Sequence, residues 1–81
     1  MKPANTRDEY PTTDQTANAV FRFVVNYIAI KGYPPNRREI QSGCYISKHA
    51  MMRALGYLEG KGIIRVDVAT ARGISVSPNI G

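Results

Sequence analysis

The chain has 81 residues, 43% of them hydrophobic and 21% charged, which provides for one small domain with a modest core and no room for a second. Eleven Lys and Arg against six Asp and Glu give a net charge of +5 and a pI near 9.7, a balance that favours a polyanionic partner. One histidine, no clustered acids, no glycine-rich phosphate loop and no Cys/His spacing for zinc leave nothing from which to assemble an acid–base pair, an activated nucleophile or a metal centre, so neither an enzyme nor a cofactor is expected.

Residues 1–12 read as a flexible N-terminal arm, because Met1 to Pro11 mixes charge and two prolines without periodicity. Basic arms suit a minor groove, but Lys2 and Arg7 are offset here by Asp8 and Glu9, which favours an untethered tail. Thr12, Thr13 and Asp14 then compete to cap a first helix, and Thr12 with Gln15 has the spacing of a capping box. Behind the cap Ala17, Val20, Phe21, Val24 and Ile28 form an inward stripe, Phe23, Tyr27 and Ile30 widen it on one side, and Arg22 and Asn26 mark the wet face. An arc this wide is covered either by two further elements or in part by a second subunit. Gly32 ends the helix, and Pro34 and Pro35 forbid its continuation.

Asn36 can cap a second, short helix over Arg37–Ser42 with Ile40 inward, and Gly43, Cys44, Tyr45 and Ile46 make a turn of four residues. Ser47 is a good N-cap for the third helix. In that helix Met51, Leu55 and Leu58 fall within about 40° of one line, while His49, Met52, Arg53, Gly56 and Gly60 lie opposite and Lys48 sits in the first turn. Gly62 suits the left-handed residue after the helix, with Ile63 as the apolar residue that accompanies such a cap. A short helix, a tight turn and a capped longer helix have helix-turn-helix spacing, and in DNA-binding examples the second helix of the pair enters the major groove. Any three-helix domain also has a solvated helix face. Gly56 and Gly60 either permit close backbone approach or are simply tolerated.

Ile63–Asp67 and Gly73–Ser77 read as two strands joined by the loop Val68–Arg72, and residues 78–81 form a short tail. Two strands alone are marginal in water, so they should pack on the helices. The expected fold is mainly α with a small β-hairpin, a three-helix winged helix-turn-helix over residues 13–77. Its charge is uneven. Residues 1–36 carry Lys2, Arg7, Arg22 and Lys31 against Asp8, Glu9 and Asp14, whereas residues 37–81 carry Arg37, Arg38, Lys48, Arg53, Lys61, Arg65 and Arg72 against only Glu39, Glu59 and Asp67. The excess lies with the helix-turn-helix and the hairpin. No apolar run approaches the roughly 20 residues of a membrane span, and no hydrophobic signal segment follows Lys2, so a cytoplasmic protein is expected. Cys44 reads as a small apolar residue in the turn, with pairing to another chain as the remote alternative.

The string GYPPNRREI at 32–40, the Ser47 cap, the LxxLExKGxI pattern from Leu55 to Ile64 and ARGI at 71–74 together resemble the N-terminal DNA-binding domain of LexA repressors, over about Thr13 to Val76. That resemblance implies a winged helix on double-stranded operator DNA, with the third helix in the major groove and the hairpin wing near the backbone. Ser47, Lys48, His49, Ala50, Met52 and Arg53 correspond to the contact surface of the family's recognition helix, and Arg72 to a wing arginine near phosphate. LexA proteins continue into a self-cleaving domain with a Ser–Lys dyad that also dimerises them. The sequence here stops before such a domain, so self-cleavage is not expected of it. The turn is one residue shorter than in typical members, and His49, Met52 and Arg53 differ from the family's residues, so the family's operator is not inherited.

The function expected is sequence-specific double-stranded DNA binding by a transcriptional repressor. Arg37, Arg38, Lys48, Tyr45, Lys61 and Arg72 would meet the backbone, and His49, Met52 and Arg53 the base edges. Arg53 suits a bidentate contact to guanine; a phosphate contact or a solvated side chain are its alternatives. His49 is either a neutral first-turn histidine or a group whose protonation strengthens phosphate binding. Weak self-association on DNA is expected, and no small-molecule substrate is evident. The rival classes are a winged-helix protein-docking module, for which an exposed Met52 and the broad apolar arc would serve, and a replication or excision accessory factor. Salt separates docking from DNA binding, which alone weakens steeply as salt rises.

Overall fold

Helix α1, Thr13–Lys31, begins at the reciprocal capping box anticipated for Thr12 and Gln15: the Gln15 backbone N–H donates to the Thr12 hydroxyl at 3.1 Å, and the Thr12 N–H to the Gln15 side chain at 3.0 Å. It ends at Gly32, whose φ of 85° lies in the left-handed region. The computed structural model describes residues 12–77, so the expectations for Lys2, Arg7, Asp8, Glu9 and the 78–81 tail fall outside the described residues. No described helix is long and apolar enough to cross a membrane.

Helix α2, Arg37–Cys44, opens with a second capping box, Asn36 with Glu39, that sequence reasoning saw only on the Asn36 side. It runs two residues beyond the expected end. Gly43 and Cys44 are helical, and Tyr45, not a glycine, takes the left-handed conformation that closes the helix, at φ 56°. Gly43 is there for another reason: a Cβ on it would collide with the Phe23 ring of α1, so its missing side chain lets the two helices approach. Cys44 is accordingly the last residue of α2, half-buried against the core, and burial pushes its thiol pKa up.

Helix α3, Lys48–Gly60, is capped by Ser47, whose hydroxyl accepts the Ala50 N–H at 3.0 Å. Its end is a Schellman motif: Ile63 N–H donates to the Leu58 carbonyl at 3.0 Å and Gly62 N–H to that of Glu59 at 2.9 Å, with Gly62 at φ 75°. Strands β1, Ile64–Val66, and β2, Ile74–Val76, are shorter than expected and pair antiparallel, with Arg65 opposite Ser75.

One core joins all five elements: Ala17, Val20 and Val24 of α1, Ile40 of α2, Met51, Ala54, Leu55 and Leu58 of α3, and Ile64 and Ile74 of the hairpin. The expected stripes of α1 and α3 supply most of it, and Ile64 and Ile74 seat the hairpin on the helices. Full burial of one such aliphatic side chain stabilises by about 1.5–3 kcal/mol. Ile30 departs from the arc assigned to it: at 79% exposure it stands in solvent, because it lies on the side of α1 away from the buried Ala17, Val20 and Val24, whereas Ile28 in the same turn packs against the core. The architecture is three helices with a two-stranded hairpin, a winged helix-turn-helix.

Candidate nucleic-acid interface

The N-terminal half of α3 is positioned from both sides of the helix. Its inner residues Met51, Ala54 and Leu55 are buried, which turns Lys48, His49, Met52 and Arg53 outward. Tyr57, one turn further on, donates its hydroxyl to Asp14 Oδ1 of α1 at 2.6 Å and so pins α3 to the first turn of α1. That link spans 43 positions and has no local signature, so periodicity alone could not find it.

Four of the six expected reading residues come together. Ser47, His49, Ala50 and Arg53 line an open cleft of about 340 Å³ whose other wall is Thr12, Thr13 and Thr16 at the start of α1. The Arg53 guanidinium donates to Thr13 Oγ1 through a long bond of 3.4 Å. Lys48 and Met52 do not line the cleft; both are exposed on the adjoining face, Met52 at 43%. The first turn of α3 holds no acidic residue, and Lys48 occupies its first position. A cation there opposes the positive end of the helix dipole and costs the isolated helix stability, whereas an anion brought to the same place is attracted by both.

The expected backbone contacts divide. Arg38, Tyr45 and Lys61 are exposed, Tyr45 at 93%. Tyr45 thus holds a left-handed backbone without packing its ring, while Lys61, at the end of α3, stands over the Tyr57 ring at 5.2 Å. Arg37 and Arg72 are turned toward the protein instead. Arg37 Nη2 donates to the Val68 carbonyl in the hairpin loop at 3.3 Å, and its Nη1 is buried with no hydrogen-bond partner among the described residues.

Arg72 makes a two-pronged pair with Glu39, Nη1 to Oε1 at 2.8 Å and Nη2 to Oε2 at 3.2 Å. Its Nη1 also donates to the Pro34 carbonyl at 2.9 Å and reaches the Tyr27 hydroxyl at 3.5 Å, and its guanidinium lies 4.7 Å from the Tyr33 ring centroid. Tyr33 in turn meets Tyr27 edge-on at 5.9 Å, so both tyrosines pack here as expected. The Arg72 guanidinium, with the Asn36 backbone N–H, holds the Glu39 carboxyl well below the usual carboxylate range, at about 2, and Glu39 holds the Arg72 pKa up. Partial burial pushes the Tyr27 phenol up.

In the sequence Arg65 contributes only to the charge balance. In the centre of β1, between buried Ile64 and half-buried Val66, it points away from the core and makes no hydrogen bond or ion pair among the described residues. The period-two alternation of the strand was the signal that could have singled it out.

A family described as the LexA DNA binding domain matches residues 11–73. The LexA repressor of Geobacter metallireducens is 42% identical over 60 residues, covering 73% of this chain and 30% of the relative. That of Lactiplantibacillus plantarum is 35% identical over 68 residues, covering 83% and 32%. A LexA repressor of Listeria monocytogenes is 34% identical over 58 residues, covering 70% and 28%. The chain thus spans about a third of the length of these curated relatives.

Proposed function

The chain belongs to the LexA DNA-binding domain family, and we propose on that footing that it binds double-stranded DNA sequence-specifically and acts as a transcriptional repressor. The observation that carries the reading is the outer face of α3, where an N-terminus without acids presents exposed Lys48 and Met52 beside a cleft lined by Ser47, His49, Ala50 and Arg53, the last held only by the long bond to Thr13. In the major groove, Arg53 and His49 meet base edges and Met52 offers an apolar contact of the kind that suits a thymine methyl. Lys48, Arg38, Tyr45 and Lys61 meet the backbone, joined by Arg65 on the wing. The reaction is binding alone: release of counterions from phosphate drives it, and no bond is made or broken.

One domain of this size covers one half-site. The exposed Val25 and Ile30 on α1 support weak pairing of two copies on DNA, and sedimentation showing a tight dimer at micromolar concentration would count against it. The reading itself is tested by selection from randomised duplex DNA with the intact chain and with Arg53→Ala. Enrichment of a defined half-site that the substitution blurs at one base is the expected result; no enrichment would reject it.

A further inference from the structure

The loop between β1 and β2 stands away from the core. Asp67 N–H donates to the Gly73 carbonyl at 2.7 Å and the Asp67 carboxylate holds the Ala69 N–H and the Thr70 hydroxyl at 3.1 Å each, but these bonds shape the loop without attaching it to the helices. Attachment comes from two arginines that cross in opposite directions. Arg37, the first residue of α2, reaches out to the loop carbonyl of Val68, and Arg72, in the loop, reaches back to Glu39 in the first turn of α2.

Glu39 Oε1 is at the same time the capping acceptor of the Asn36 N–H at 2.8 Å, so the loop is tied to the same side chain that caps the start of the helix-turn-helix. Arg72 Nη1 already faces three acceptors and Nη2 a fourth, and the guanidinium plane carries the Tyr33 ring. A phosphate that took the Nη1–Nη2 end of this group would have to displace Glu39.

We propose that Arg72 is a positioning residue: held by Glu39, Pro34 and Tyr33 and answered by Arg37 on Val68, it fixes the wing on the first turn of α2 and leaves Arg65 as the wing's cation for the DNA backbone. This rests on the DNA-binding reading above. It also reverses an electrostatic expectation. If Arg72 were itself a phosphate ligand, removing the Glu39 charge would free it and remove a repulsive carboxylate, and DNA binding would tighten. If Arg72 acts through Glu39, the same change loosens the wing and binding weakens.

The test is Glu39→Gln, which keeps a capping side chain at the third position of α2 and so preserves the fold. Two readouts are taken: amide hydrogen exchange of the free protein, and affinity for duplex DNA at several salt concentrations. The expected result is faster exchange at Asp67 and Gly73 with α3 amides unchanged, and DNA affinity lower by roughly threefold or more at every salt concentration. Arg72→Lys should behave alike, because an ammonium cannot make the two-pronged contact. Unchanged wing exchange, equal or tighter DNA binding by Glu39→Gln, or full affinity with lysine at 72 would each overturn the proposal. Absence of salt-dependent DNA binding by the unsubstituted chain would instead reject the DNA-binding reading, and the exchange arm would still decide whether Glu39 and Arg72 hold the wing.

Discussion

The base of the wing and the outer face of α3 treat charge in opposite ways. At the wing base Glu39, Arg72 and Arg37 are all turned onto protein acceptors or donors, with Tyr27, Tyr33 and Pro34 completing the shell. On α3, Lys48, His49 and Met52 have no such partners among the described residues, and Arg53 has only the long bond to Thr13. Side chains turned onto protein partners define shape; those left open, at some cost to the helix that carries them, are available to a partner. The same distinction separates the arginines of one chain: the family resemblance points to Arg72 for phosphate and leaves Arg65 as charge alone, whereas in the structure Arg72 is turned onto Glu39 and Arg65 faces away from the core.

The contrast is sharpest where substitutions should hurt the fold and where they should not. Ile40→Ala removes a fully buried side chain at the junction of the helices and should cost about 2–5 kcal/mol in urea unfolding, enough to threaten a domain this small. Met52→Ala, on the open face, should stay within about 0.5 kcal/mol.

Next come the glycines. Gly43→Ala drives a methyl into the Phe23 ring and should destabilise by about 1–3 kcal/mol. Gly56→Ala, in a helical position with open space around it, should stabilise by up to about 1 kcal/mol. If alanine at 56 raises stability and leaves DNA affinity unchanged, that glycine is tolerated; a loss of affinity would mean that the duplex approaches the backbone there.

A smaller effect is expected of Lys48→Ala, which should lower the slope of log affinity against log salt by about 0.9 and, by removing a cation from the positive end of the helix, stabilise the fold by a few tenths of a kcal/mol up to about 1 kcal/mol.

The last effect belongs to the wing base and is read against pH. Glu39 titrates at about 2 in the folded chain, below its unfolded value, so its stabilising contribution is fully present above about pH 4.5 and is lost as pH falls through about 2. Acid unfolding of Glu39→Gln should lack that component, and an unaltered acid profile would show that the pair does not contribute.

What was legible in the sequence is what repeats or caps locally. The stripes Ala17, Val20, Val24 and Met51, Leu55, Leu58, the Thr12–Gln15 box, the Ser47 cap and the Gly62 stop all depend on residues within one or two turns of each other, and they delivered the helices and most of the core. From its neighbours Gly43 reads as a turn glycine, since its actual reason, Phe23, lies 20 positions away in another helix. The pairings of Arg72 with Glu39 and of Tyr57 with Asp14 span 33 and 43 positions, and nothing in the local pattern announces which acid an arginine or a hydroxyl will find. The outer face of α3 was legible as a face, since an amphipathic helix shows which side it does not bury.

The central claim, that this face and the wing bind duplex DNA largely through phosphate, is tested most directly by a salt titration on the half-site recovered by selection. Log affinity is expected to fall linearly with log salt, with a slope of about 0.9 for each phosphate engaged and several engaged in all. An affinity that stays flat across the same salt range would contradict it.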